Sequence, residues 1–305
     1  MMIKYLKIEN QWLQILIILS IILLVIYYLN KNKPFKTEGF DQQQSFVMKQ
    51  NNAIYDIFYV EIYDDLQKSS SRTEFEVTKI IELTQPSKTN SVILDIGSGT
   101  GHLVNKLNES GYKTFGIDQS KAMVNYSENK FPNNSNKFSV GDINDPMTYE
   151  RNSFTHITCM NFTIYHLNDK VAFFKNCYFW LIQNGYLILH LVNRDKYDPI
   201  VPAGIPSLLE NPQKYSKNRI KNTEIDFKDF TYKNMCNFDN DKQVVIKETF
   251  TDSLTQNIRQ NELTLYMEDI DEIVKIAQHC KFIPISQINM VNDKNQHIYI
   301  FEKIM

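Results

Sequence analysis

Val92-Ile-Leu-Asp-Ile-Gly-Ser-Gly-Thr-Gly-His-Leu103 decides how this chain of 305 residues folds. Val92, Ile93 and Leu94 form a short apolar run, suited to a strand buried on both faces of a parallel sheet. Gly97, Gly99 and Gly101 follow at alternate positions around Ser98, and Leu103, Val104 and Leu107 then take up helical spacing. The chain turns tightly from strand to helix. Glycine there admits positive φ and lets a ligand approach where a Cβ would collide. The helix N-terminus behind the turn presents unpaired N–H groups and the positive end of a dipole.

A dinucleotide pyrophosphate prefers G-x-G-x-x-G, whereas the spacing here is G-x-G-x-G, with Asp95 two residues before the first glycine. A carboxylate beside a phosphate is repulsive, so the turn suits a ligand carrying positive charge. S-adenosylmethionine, with its sulfonium and ammonium groups, meets that requirement. On the acidic residue and the three glycines, the sequence resembles the class I S-adenosylmethionine-dependent methyltransferases. The resemblance implies a Rossmann-like, doubly wound α/β fold: seven mostly parallel strands with an antiparallel edge strand. It also makes Asp95, Gly97, Ser98, Gly99 and Gly101 cofactor-binding residues.

Further along, Lys113 to Asp118 reads as the second strand of that series. A carboxylate at its end is placed to accept the ribose hydroxyls, so Asp118 takes that role with Gln119 beside it. Ser120 caps the next helix, where Met123 stands at a position that family members rest against adenine. Asp142 and Ile143, leaving the third strand, match the family's acceptor for the adenine amino group and the residue that packs on the ring. Phe154 to Asn161 reads as the fourth strand, and Asn161 falls at the methionine half of the cofactor. Tyr165 and His166 follow at the substrate mouth. His166 reads equally as a general base and as a pin for the following helix. Upstream, Ile54-Tyr-Asp-Ile-Phe-Tyr59 has helical spacing, and the resemblance implies that Tyr55 and Tyr59 close over the cofactor. Arg194 and Tyr197, in a loop that would overhang the site, read either as substrate contacts or as ordinary loop residues, with the second reading favoured.

From Phe227 to Met267 the pattern turns β-rich, with Asn-Asp turns. It reads as an antiparallel β-meander inserted at about 194–267, similar to that of sugar N-methyltransferases, which either covers the site or forms a homodimer interface. Asp269 to Cys280 reads as a helix, and Phe282 to Val291 with Gln296 to Lys303 as the closing pair of strands.

At the other end, Trp12 to Leu29 is almost wholly apolar, long enough to cross a bilayer core, with Trp12, Tyr27 and Tyr28 at its ends. Residues 1–30 read as an N-terminal transmembrane anchor, 31–50 as a linker and 51–305 as the methyltransferase domain. Lys31, Lys33 and Lys36 slightly outnumber Lys4 and Lys7, which favours a cytosolic domain behind a single-pass membrane helix. A net charge of -2 and the lack of a basic stripe argue against nucleic acid as partner. Four scattered cysteines without a C-x-x-C pair argue against a metal site and a disulfide framework.

The expected function is methyl transfer from S-adenosylmethionine to an N or O nucleophile of a small-molecule or membrane-associated acceptor. The alternative is an inactive S-adenosylmethionine-binding scaffold at a membrane.

Overall fold

The computed structural model describes residues 11–31, 44–205, 211–291 and 293–305, and divides into two compact units, Met1–Thr37 and Glu38–Met305. Lys4, Lys7, Lys33, Lys36, most of the expected linker and Asn292 lie outside the described residues.

The first unit holds helix α1, Gln11–Lys31. Its described side chains are Trp12 and those from Ile15 to Val25, all of them exposed. Among the described residues no helix is long and apolar enough to cross a membrane, so the transmembrane span expected from Trp12 to Leu29 is not found.

In the second unit, the opening run forms β2, Val92–Ile96, the middle one of the five parallel strands in a seven-stranded sheet. On one side of it lie β3 (Lys113–Asp118) and β4 (Phe138–Val140), and on the other β5 (Phe154–Cys159) and β6 (Leu181–Val192), all parallel. Next, β12 (Gln296–Lys303) runs antiparallel to β6, and β11 (Phe282–Asn289) forms the edge, antiparallel to β12. The sheet is doubly wound, as expected. Ile93, Ile188, Ile298 and Ile300 pack under helices α3 (Ser69–Thr84) and α4 (His102–Glu109). Their neighbours Leu94, Leu187, Leu189 and Phe301 join the cluster of α6 (Lys170–Trp180) and α7 (Ile270–His279). Successive strand residues face opposite layers, so both faces must be apolar. Trp180, Phe173 and Phe174 are fully buried, each contributing about 2–3 kcal/mol of transfer free energy.

Strand order reverses beside β2, and at such a switch point the carboxyl ends of the strands open a crevice. A second sheet stands over it, in which β1 (Phe46–Gln50), β10 (Ile258–Tyr266), β9 (Gln243–Asp252), β8 (Phe230–Asn240) and β7 (Asn222–Asp226) follow in that order. The expected meander supplies β7, β8, β9 and β10. The fifth strand, β1, comes from the stretch expected to be linker and pairs parallel with β10. Beyond it, the short turn Asn51–Ile54 leads into α2, Ile57–Gln67, whose N-cap Asp56 accepts from the Tyr59 amide.

Candidate active site

The glycine turn follows β2 with φ of +66° at Gly97, +52° at Gly99 and +81° at Gly101. The three glycines answer to different neighbours. A Cβ on Gly97 would stand 2.4 Å from Thr163 Cγ2, and one on Gly101 would collide with Ser127 and Phe138. A Cβ on Gly99 would meet nothing closer than a carbonyl oxygen at 4.0 Å. Gly97 and Gly101 are held by packing; Gly99 leaves its space to a cavity.

That cavity, of about 880 Å³, runs from the turn to beneath the second sheet, within the range of small-ligand sites. Of the residues singled out in the sequence, Tyr55, Tyr59, Gly97, Gly99, Asp118, Gln119, Met123, Asp142, Ile143, Asn161 and His166 all line it. Asp118 ends β3 and ties two turns together: Oδ2 accepts from Gly99 N at 2.9 Å and Oδ1 from Ser120 N at 2.8 Å. Burial raises its carboxyl above the ordinary value. Lone pairs beyond these two bonds remain for hydroxyl donors. Gln119 accepts from Asn52 Nδ2 at 2.5 Å, which brings the chain before α2 onto the same wall. Asp142 is exposed and accepts from the amide and side chain of Asn144.

Four expected site residues face elsewhere. Tyr165 is fully buried in the core, with its hydroxyl accepting from Val192 N at 2.8 Å, so it does not stand at the substrate mouth. The 3-10 turn Thr163–His166 rotates neighbouring side chains apart, sending His166 to the cavity and Tyr165 inward. Asp95 and Ser98 lie behind the turn, beside a side cavity of about 50 Å³ that they share with Arg72 and Glu76. Asp95 accepts from Thr158 Oγ1 at 2.7 Å, and burial lifts its carboxyl to about 7. Gly101 borders neither cavity and opens α4.

The backbone between β5 and that 3-10 turn is strained. Asn161 and Phe162 both take positive φ, +47° and +66°, at a cost of order 1–3 kcal/mol each. Side chains from three elements hold them there. Arg72 Nη1 donates to Asn161 Oδ1 at 2.7 Å, and Asn161 Nδ2 donates to the Tyr63 hydroxyl at 2.7 Å. His190 Nδ1 accepts from Phe162 N at 3.2 Å. Its Nε2 lies 3.1 Å from Gln296 Oε1 and is therefore the donor nitrogen. Burial, with the nearby Arg72 charge, lowers the His190 imidazole to about 3 and keeps it neutral.

His166 is half-buried; its enclosure lowers it to about 4, leaving a neutral imidazole whose Nε2 lies 3.4 Å from the Tyr55 hydroxyl. Asp64 on α2 draws Thr100, His102 and Lys130 together. Although burial opposes ionisation, hydrogen bonds from His102, Lys130 and Thr100 hold its carboxyl well below the ordinary range. His102 thus fixes α2 to the glycine turn, a structural role.

Several wall residues were not anticipated: Tyr63 and Arg72 from α2 and α3, and Glu248 from β9; Tyr197, from the loop after β6, lines the cavity against the favoured plain-loop reading. Tyr197 is buried and reaches the cavity, whereas Arg194 binds the carbonyls of Phe238 and Asn240 and so anchors the second sheet. Glu248 had a legible signal. It stands at an inward position of an alternating strand, between Ile246 and Phe250, where apolar residues are the rule.

Residues 94–189 match the methyltransferase domain family. YqeM of Bacillus subtilis (strain 168), which carries a provisional methyltransferase name, is 25% identical over 147 residues, 47% of this chain. The chain spans 58% of the length of that relative. Among solved structures, a S-adenosylmethionine-dependent methyltransferase from Clostridium acetobutylicum ATCC 824 superposes with a TM-score of 0.60 at 19% identity, covering 81% of this chain and 98% of that one. The CcbJ methyltransferase from Streptomyces caelestis gives 0.60 at 13% identity, with 82% and 98% covered. The sugar N-methyltransferase KedS8 from Streptoalloteichus sp ATCC 53650 gives 0.54 at 13%, with 92% and 93% covered. At these identities the structures speak for the fold, and the domain match speaks for residues 94–189. Over residues 94–189 the chain carries a methyltransferase domain, and its fold is that of S-adenosylmethionine-dependent methyltransferases.

Proposed function

We propose that this protein transfers a methyl group from S-adenosylmethionine to an oxygen or nitrogen nucleophile of a small-molecule acceptor. The observation that carries the reading is the pairing of Gly99 with Asp118: a glycine whose missing side chain opens on the cavity, bonded to a carboxylate that still has acceptor capacity. Asp118 suits a ribose, Met123 and Ile143 line the cavity where an adenine would pack, and Asp142 Oδ2 can accept from its amino group. Arg72 and Asn161 line the part of the cavity nearest the turn. When bound, the cofactor supplies a methyl carbon already activated by its sulfonium. The chain's own share is to align the acceptor and exclude water, which can be worth roughly 7–11 kcal/mol. Tyr55, Tyr59 and the strands β8 to β10 enclose the acceptor end. His166, neutral and beside Tyr55, can take a proton there.

Incubating the protein with S-adenosylmethionine and a metabolite extract should yield compounds that gain a CH2 unit. A calorimetric titration with S-adenosylhomocysteine that shows no binding would refute the reading.

Seating at a membrane through α1 is part of the same proposal. The described apolar side chains of α1 are exposed all round the helix, including Leu16, Leu23 and Leu24 at 64%, 64% and 65%. A surface of that kind in water is a strong reason for it to meet lipid. The full chain should float with lipid vesicles, and Leu19→Lys with Ile22→Lys should leave it in the aqueous fraction. Equal flotation of both proteins would count against lipid contact through this face.

A further inference from the structure

Glu248 hangs from the second sheet into the cavity and is only 6% exposed. It is flanked across the strands by Asn234 on β8 and Asn261 on β10. All its hydrogen-bond partners are neutral. Oε1 accepts from the hydroxyls of Tyr59 at 2.9 Å and Tyr232 at 2.8 Å, and Oε2 accepts from Asn261 Nδ2 at 3.1 Å. Among the described residues no Lys, Arg or His makes an ion pair with it. Arg259, the nearby cation, spends its donors on both oxygens of Asp56, on Asn261 Oδ1 and on the Ile54 carbonyl. A buried carboxylate bonded only by neutral donors, with its nearby cation Arg259 committed to Asp56, is costly, and a cation arriving from the cavity would offset that cost.

We propose that the methyl acceptor is an amine, recognised as its ammonium by Glu248 and by the aromatic wall of Tyr55 and Tyr59. This rests on the methyl-transfer reading and names its substrate class. The two tyrosine rings meet edge to face with centroids 5.6 Å apart, and such rings offer electron-rich faces to a cation. Beside Glu248 along the same inward rows stand Cys236, Ile246, Leu263 and Leu265, which suit an apolar body carrying the amine. An alcohol of the same shape would leave the carboxylate unpaired. The ammonium can give one proton to Glu248: the N–H bond breaks, its electron pair stays on nitrogen, and a neutral amine faces a neutral acid.

The test uses the full chain saturated with S-adenosylhomocysteine, titrated with matched probes: cyclohexylamine against cyclohexanol, and benzylamine against benzyl alcohol. The amines should bind at least ten-fold more tightly than the alcohols. Glu248→Gln should bring each pair within about two-fold while S-adenosylhomocysteine affinity is unchanged. Leu263→Lys, which sets a fixed ammonium two residues along the sheet from the carboxylate, should abolish amine binding and keep the cofactor. Equal binding of amine and alcohol, absence of amine binding, or a preference that survives Glu248→Gln would overturn the proposal. Failure of wild type to take up S-adenosylhomocysteine is read in its own titration and strikes the methyl-transfer reading instead.

Discussion

Gly97 and Gly99 lie two residues apart in one turn, yet alanine at each should fail differently. Both positions have positive φ, so either alanine costs about 1–2 kcal/mol of backbone strain. At Gly97 the new methyl also lands 2.4 Å from Thr163 Cγ2 and 2.8 Å from Oγ1. Thr163 is β-branched and begins a 3-10 turn, so it yields little, and overpacking adds about 1–3 kcal/mol. Gly97→Ala should therefore lose about 2–5 kcal/mol in urea unfolding, and Gly99→Ala only about 1–2. Adding Thr163→Ala should recover the overpacking part in Gly97→Ala and nothing in Gly99→Ala, a coupling that a double-mutant cycle reads directly. Ligand binding should reverse the order of importance. The Gly99→Ala methyl stands where only the ligand competes for space, so S-adenosylhomocysteine affinity should fall at least ten-fold, about 1.4 kcal/mol. If Gly99→Ala binds as tightly as wild type, the cofactor does not lie against the turn, and the division of labour among the glycines is wrong.

Asp118→Ala should lose cofactor affinity at least ten-fold by calorimetry, and also about 1–3 kcal/mol of stability, because the amides of Gly99 and Ser120 lose their acceptor. The His190 imidazole sits near 3 in the folded protein, so between about pH 6.5 and 3 the unfolded chain takes up a proton that the native one refuses. Stability is then lost as pH falls, by about 1.4 kcal/mol per unit, and His190→Gln should flatten the urea-unfolding profile by that slope. Asp95 has the opposite sign: its carboxyl is raised to about 7, so its contribution is lost as pH rises from about 4 to 7. In the cofactor-free protein Asp95→Asn should be the more stable at pH 8, by up to about 4 kcal/mol, with the two converging near pH 4 in thermal or urea melts.

The sequence was legible where a local rule and a fold rule coincide. The strand before Gly97 and the carboxylates ending or leaving later strands occupy fixed stations around a parallel sheet, so spacing and the family resemblance together located the part of the cavity wall around Gly97, Gly99, Asp118 and Asp142. Tyr165 and His166 show where that reasoning stops. Adjacent residues in a 3-10 turn diverge sharply, and the turn's rotation is set by Asn161 and Phe162, which adopt a backbone region that non-glycine residues rarely take. No local signal announces that, because it is imposed by Arg72, Tyr63 and His190 from remote segments. Phe46–Gln50 was missed for a similar reason: five residues have little periodicity, and their partner strand lies more than two hundred positions away. Glu248 could have been found from its inward place on an alternating strand, had the breach of pattern been weighed as a signal.

The pairing of β1 with β10 bears on how such enzymes can be recombined. The segment 46–59 is stitched to the roof at several points: Asn51 accepts from the Thr264 amide, Asp56 grips Arg259, and Tyr59 reaches Glu248. The same segment touches the cavity wall after β3 through Asn52 and Gln119. A chimera that grafts residues 222–266 onto a related scaffold would import a canopy cut from its hem. The exchangeable cassette comprises both pieces of chain, far apart in order and inseparable in register.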